Sequence, residues 1–308
     1  MSEQDFAGQG FPEQDPVKLY VPKRKNLQTV RSPFAPVGVF DSGVGGLTVF
    51  REIMRTMPEE RLVYFGDTAR LPYGAKSRET VIRFSRQIVR FLNGQGVKAI
   101  VIACNTASSF ALETIARESD IPVIGVIYAG ALTASRATKN GRVGVIGTRG
   151  TVKSRIYEQV IHSMNPEIRV IQQACPLFVP LVEEGLIHDS VTDEIASRYL
   201  QELKMKYVDT LVLGCTHYPL LRSTIARIMG DEVTLVNPAY ETALELKEIL
   251  GREKLLNPGR GADPLSEGKD AEQYRFFVSD LAENFTDFAA SILPGRVKNA
   301  QKIEIEEY

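Results

Sequence analysis

Two cysteines sit in matching surroundings, one in each half of the chain, in VIACNTASS (101–109) and LVLGCTHYP (211–219). In both, an apolar run reads as a buried parallel strand ending on a small residue. It gives way to Cys104 or Cys215, then a threonine one or two positions on (Thr106, Thr216), then a helix-like stretch. A thiol at the carboxyl end of a strand, beside the first amides of the next helix, is expected to have a lowered pKa. That end of an open α/β sheet is also where ligands bind. Two thiols so placed point to a site with one on each side. Cys175, in VIQQACP, has no such polar company and reads as a small buried core residue.

Other segments could complete such a site. FDSGVGG (40–46) ends a strand with Asp41 and Ser42 and opens a helix with three glycines. Such a turn lets backbone N–H groups approach an anion closely. It is not the GxGxxG dinucleotide pattern and lacks the Gly-Lys-Ser/Thr of a nucleotide loop, so phosphate is no better supported than carboxylate. YFGDTARLPYG (64–74) is either an ordinary strand-to-helix loop or one that offers Tyr73 and the Gly74 backbone to a ligand. Of the three histidines, His217 alone neighbours a candidate thiol, while His162 and His188 read as surface residues. In VPLVEEGL (179–186), Glu183 and Glu184 read as a solvated helix end, with one of them facing the site as the alternative.

Cys104, Cys215 and His217 could in principle ligate zinc, but no CxxC or HxxxH pair pre-arranges them, and no metal site is expected. No G-x-S-x-G nucleophile turn is present. What remains is two thiols beside polar groups suited to a small zwitterion.

The elements that must position these residues follow from the hydrophobic pattern. After an irregular, proline-interrupted extension over 1–35, expected to be disordered or arm-like, strands and helices alternate. Strands are expected at 37–40, 61–65, 97–103, 123–127 and 273–280, and helices at 45–57, 77–95, 108–118, 240–250 and 284–293. The succession predicts α/β architecture, with doubly wound parallel sheets carrying helices on both faces. VGVFDSGVGG at Val37 is echoed by VGVIGTRGTV at Val143, 106 residues on, and the cysteines lie 111 apart. Nearly equal offsets indicate an internal duplication: two similar domains facing one another. The first is expected over 36–130, completed by 238–295, the second over 131–237, with a tail at 296–308. Ser42 then corresponds to Thr148, whereas Asp41 corresponds to Gly147 and has no counterpart.

The bulk composition excludes several classes. The chain has 308 residues, with 37 Lys+Arg against 38 Asp+Glu, so no basic excess points to nucleic acid. No stretch approaches the roughly 18 consecutive apolar residues of a membrane span. The opening Met-Ser-Glu-Gln-Asp lacks the apolar core of a signal peptide. Three cysteines are an odd number for a disulfide framework. The expectation is a cytoplasmic protein with reduced thiols.

Taken in order, FDSGVGG, GDTARLPYG, ACNTAS, GTRGTV, GCTHYPLL and RFFVSD resemble the glutamate racemases of bacterial cell-wall synthesis, over residues 37–291. The resemblance implies a cofactor-independent active site between two α/β domains, usually in a homodimer, interconverting L- and D-glutamate for peptidoglycan. By the same resemblance, Cys104 acts on D-glutamate with Asp41 as its orienting partner, and Cys215 acts on L-glutamate assisted by His217. Asp41, Ser42, Tyr73, Gly74, Asn105, Thr106, Thr216 and His217 match substrate-binding positions. Thr148 is a further candidate for a substrate carboxylate, and Glu183 for holding the ammonium or assisting a proton transfer. Aspartate racemase is the nearest rival; its family usually places Glu after the second Cys-Thr, where this chain has His217. A non-catalytic amino-acid-binding protein and a dithiol redox protein are more distant alternatives.

Overall fold

The computed structural model describes residues 31–259, 273–280, 285–297 and 299–308. Most of the expected N-terminal extension, and most of the Gly/Pro/Asp-rich stretch after 257, lie outside them. Among the described residues ten strands form two parallel sheets. The first contains β1 (Val37–Asp41), β2 (Leu62–Gly66), β3 (Ala99–Ile102), β4 (Val123–Gly125), β9 (Tyr274–Val278) and β10 (Ala300–Lys302). The second contains β5 (Arg142–Gly147), β6 (Arg169–Ala174), β7 (Thr210–Gly214) and β8 (Thr234–Val236). Among these residues no helix is long and apolar enough to cross a membrane.

The first sheet is covered on both faces, which is why its strands are apolar without alternation. Val37, Val39, Ala99 and Val101 pack on one side with the helices Leu47–Thr56 and Pro238–Arg252. Phe40, Ile100 and Ile102 face the other side, against the helices Arg78–Gly94 and Asn105–Glu118. The second sheet likewise separates two cores, with Leu211 and Leu213 on one and Val212 on the other.

The duplication is visible in strand order. The first sheet runs β10-β9-β2-β1-β3-β4 and the second β6-β5-β7-β8, so the block β2-β1-β3-β4 recurs in the second sheet. Register agrees as well. Val37 faces Ala99, five residues before Cys104, and Val143 faces Thr210, five residues before Cys215. The cysteines therefore take equivalent places at the carboxyl ends of equivalent strands.

Three expectations change. The apolar run at 123–127 is not one strand: β4 stops at Gly125, and Val126 and Ile127 open the helix Val126–Ala137. That helix serves both sheets, with Val126 in a core of the first and Ile127, Ala131 and Ala134 in a core of the second. A short apolar run carries no period that separates a buried strand from the start of a buried helix. The helix after Cys104 begins at Asn105, three residues earlier than expected, because Cys104 itself serves as its N-cap. The segment 296–308 is more than a tail. β10 extends the first sheet beyond β9, and Ile305 is fully buried in one of its cores.

Candidate active site

The carboxyl ends of β1, β3, β5 and β7 meet where the two sheets approach. Cys104 is 6% exposed. Its Sγ accepts from the Ala107 N–H at 3.4 Å and lies 3.5 Å from the Ser42 hydroxyl. The expected lowering of its pKa does not occur. Burial and the adjacent Asp41 carboxylate push the thiol up to about 12, outweighing the helix amide and Ser42. Cys104 is accordingly a protonated acid at neutral pH.

Asp41, at the end of β1, is fully buried. Its Oδ2 accepts from the Gly43 N–H at 2.9 Å, while Oδ1 has no hydrogen-bond partner among the described residues. Burial raises its pKa, and His217 together with the Gly43 and Gly46 amides opposes the rise.

Cys215, also 6% exposed, follows β7. The His217 Nδ1 stands 3.9 Å from its Sγ, and the opposite ring nitrogen, Nε2, stands 3.0 Å from Oε1 of Glu183. Burial alone would lower the imidazole pKa, but Cys215 and Glu183 on its two sides outweigh it and hold it up at about 10. Glu183 ends the helix Phe178–Glu183 and faces His217, while Glu184 points to solvent. Of the other histidines, His188 is exposed; His162 is half-buried, its Nε2 2.9 Å from the Ile168 carbonyl oxygen.

The glycines of FDSGVGG have a steric purpose. A Cβ on Gly45 would fall 2.4 Å from the Thr216 hydroxyl oxygen and 2.5 Å from the His217 ring. Close approach of the two halves thus requires glycine there. Thr48, just beyond, donates its hydroxyl to the Thr216 carbonyl at 3.0 Å, tying the helix after β1 to the turn after β7.

Between the halves lies a cluster of three hydroxyls. Thr106 Oγ1 is 2.9 Å from Thr148 Oγ1 and 3.4 Å from Thr151 Oγ1, and Thr148 and Thr151 are 3.1 Å apart. Thr151 is not among the residues expected at the site, although its spacing of three from Thr148 puts both on the first turn of one helix. Asn105 accepts a 2.7 Å hydrogen bond at Oδ1 from the buried Tyr157 hydroxyl, a residue no local motif marks. Gly74 lies against Thr148: a Cβ on it would fall 2.8 Å from the Thr148 Cβ. The Tyr73 side chain is buried, with its hydroxyl bonded to Asp67, so its backbone rather than its phenol is available nearby. Cys175 is fully buried in a core of the second sheet. Among the described residues no group of three or more His, Cys, Asp or Glu side chains could hold a metal ion.

An apposed pair of buried thiols, each with its own ionisable neighbour, is suited to moving a proton from one face of a carbon to the other. The Asp/Glu/Hydantoin racemase family matches residues 38–244, and the chain belongs to that family; it is an amino-acid racemase. Over 274 residues it is 47% identical to the glutamate racemase of Geobacter metallireducens, covering 89% of this chain and 98% of that one. The glutamate racemase of Francisella tularensis, solved in complex with D-glutamate, superposes with a TM-score of 0.80 at 38% identity, covering 90% of this chain and all of that one. Isoform RacE1 from Bacillus anthracis gives a TM-score of 0.81 at 38% identity over 88% of this chain and 97% of that one.

Proposed function

We propose that the chain interconverts L- and D-glutamate by a two-base mechanism without a cofactor. The observation that carries this is the equivalent placement of Cys104 and Cys215 at the ends of matching strands in two sheets. The names of the relatives support glutamate as the substrate.

Starting from L-glutamate, the Cys215 thiolate, beside the His217 imidazolium, takes the α-proton and becomes a thiol. The Cys104 thiol delivers its proton to the opposite face and becomes a thiolate. D-glutamate forms, and the reverse reaction exchanges the roles. The raised pKa of Cys104 suits it to the donor's part in the first direction. For the second direction, the substrate ammonium beside Asp41 and Cys104 would favour the thiolate. The planar carbanion between these steps needs hydrogen-bond donors at its α-carboxylate. Ser42, Asn105 and the first turn of the helix Asn105–Glu118 supply candidates, as do Thr216 and the His217 backbone. The hydroxyls of Thr106, Thr148 and Thr151, with the Gly74 backbone, are assigned to the side-chain carboxylate.

In this reading residues 36–130 with 238–308, which carry the first sheet, and residues 131–237, which carry the second, form two units flanking the substrate. The product supplies peptidoglycan synthesis in the cytoplasm, and the enzyme works as a homodimer.

The test is incubation of purified protein with L-glutamate in D2O, without pyridoxal phosphate, following the α-proton by NMR together with optical rotation. Loss of rotation with deuterium at Cα is expected. Absence of both, beside an active control enzyme, sinks the proposal; turnover of L-aspartate instead would move the substrate assignment.

A further inference from the structure

We propose that Asp67 is a positioning residue that holds the Tyr73–Gly74 turn in place for the substrate carboxylate. The inference rests on the glutamate racemase reading and deepens it.

Asp67 follows β2 and is fully buried. Its backbone N–H donates to the carbonyl of Asp41 at 3.0 Å, so it is pinned to the strand end that carries the site's carboxylate. Its side chain accepts from three others. Arg70 Nε reaches both oxygens, at 2.9 and 2.8 Å; the Ser279 hydroxyl donates to Oδ1 at 2.8 Å; and the Tyr73 hydroxyl donates to Oδ2. Ser279 lies just after β9, more than 200 positions along the chain, and its oxygen also accepts from the Ala69 N–H at 2.9 Å. The Arg70 guanidinium is fixed in turn, 4.0 Å over the Phe84 ring.

A buried charge with its partners is a poor device for stability, because apolar packing of the same volume often does as well. What it provides is geometry. The hydrogen bond to Tyr73 sets the ring, which packs on Phe84, and the ring sets the next residue, Gly74, hard against Thr148 of the opposite half. Burial and the Asp67 charge keep the Tyr73 phenol protonated, so it remains a donor throughout the working pH range. The consequence is a chain of fixed contacts from β9 to the threonine cluster.

The test compares wild type, Tyr73→Phe, Asp67→Asn and the double variant, measuring KM and kcat for both enantiomers and the thermal midpoint. Loss of a hydrogen bond to a charged group predicts a rise in KM of about tenfold or more in each single variant, with a smaller fall in kcat. The double variant should be no worse than the worse single, because both changes act on the Tyr73–Asp67 bond. A purely structural role lowers the thermal midpoint and leaves KM within about twofold in Tyr73→Phe, and that result overturns the inference. Should Asp67→Asn fail to fold, Tyr73→Phe and Ser279→Ala decide by the same criteria. Wild-type protein without glutamate turnover is a different failure: it removes the racemase reading, and this inference with it.

Discussion

Glu183 Oε1 lies 3.0 Å from His217 Nε2, on the side of the ring away from Cys215. The carboxylate thus favours an imidazolium whose other nitrogen faces the thiol. Glu183→Gln keeps the size and removes the charge. The His217 titration, followed by NMR, is expected to move down by about one to three pH units. Racemisation at neutral pH should fall with it. An unmoved titration would show that Glu183 is a solvated bystander.

The same pair makes stability depend on pH. The folded chain raises the pKa of His217 from 6.5 to about 10, so protonation favours the folded state. The stabilisation is complete below about 6.5 and is lost as the pH rises from there through about 10. Thermal midpoints measured across that range should fall more steeply for wild type than for His217→Asn. Parallel curves would refute the linkage.

In the proposed mechanism, replacing either thiol at the strand ends removes one of the two proton carriers. Cys104→Ser and Cys215→Ser should each slow racemisation by at least about a thousandfold. Cys175→Ser should retain it, at a cost in stability on the order of 1 kcal/mol for the buried hydroxyl. Near-normal activity in either of the first two variants would end the two-base assignment.

Gly45→Ala probes the approach of the halves. Its methyl would meet the Thr216 hydroxyl and the His217 ring inside contact distance, so the turn after β1 or the ring has to shift. A displacement near 1 Å at a catalytic group costs about a hundredfold in rate. Steady-state kinetics should show that loss in a protein whose circular dichroism is unchanged. Unaltered kinetics would mean that the two turns can separate without harm.

The cysteines were legible in the sequence because each is fixed locally, by the strand before it and the helix after it. The repeat was legible for the same reason: Val37 and Val143 open equivalent strands, and the register follows. What could not be read is what crosses the chain. Glu183 meets His217 from 34 positions away, and Ser279 meets Asp67 from 212 positions away. No local spacing encodes either meeting. The Cys104 thiol departs from the expected lowering because the helix amide is a local feature, whereas desolvation depends on the whole surrounding fold. Val126 and Ile127 depart from the expected strand because their burial comes from a helix shared between two cores.

The two flanks of the site are built differently. Asp41 stands at the end of β1, and Gly147, its counterpart on β5, offers no side chain; the second thiol has His217 and Glu183 instead. Enantiomers have equal free energies in water, so the equilibrium constant between them is one and no arrangement of protein groups can bias it. For a racemase, kcat/KM must therefore be identical in the two directions. The unequal flanks can act only by trading kcat against KM together. A substitution on one flank, Asp41 or Glu183, must change the efficiency of both directions by the same factor.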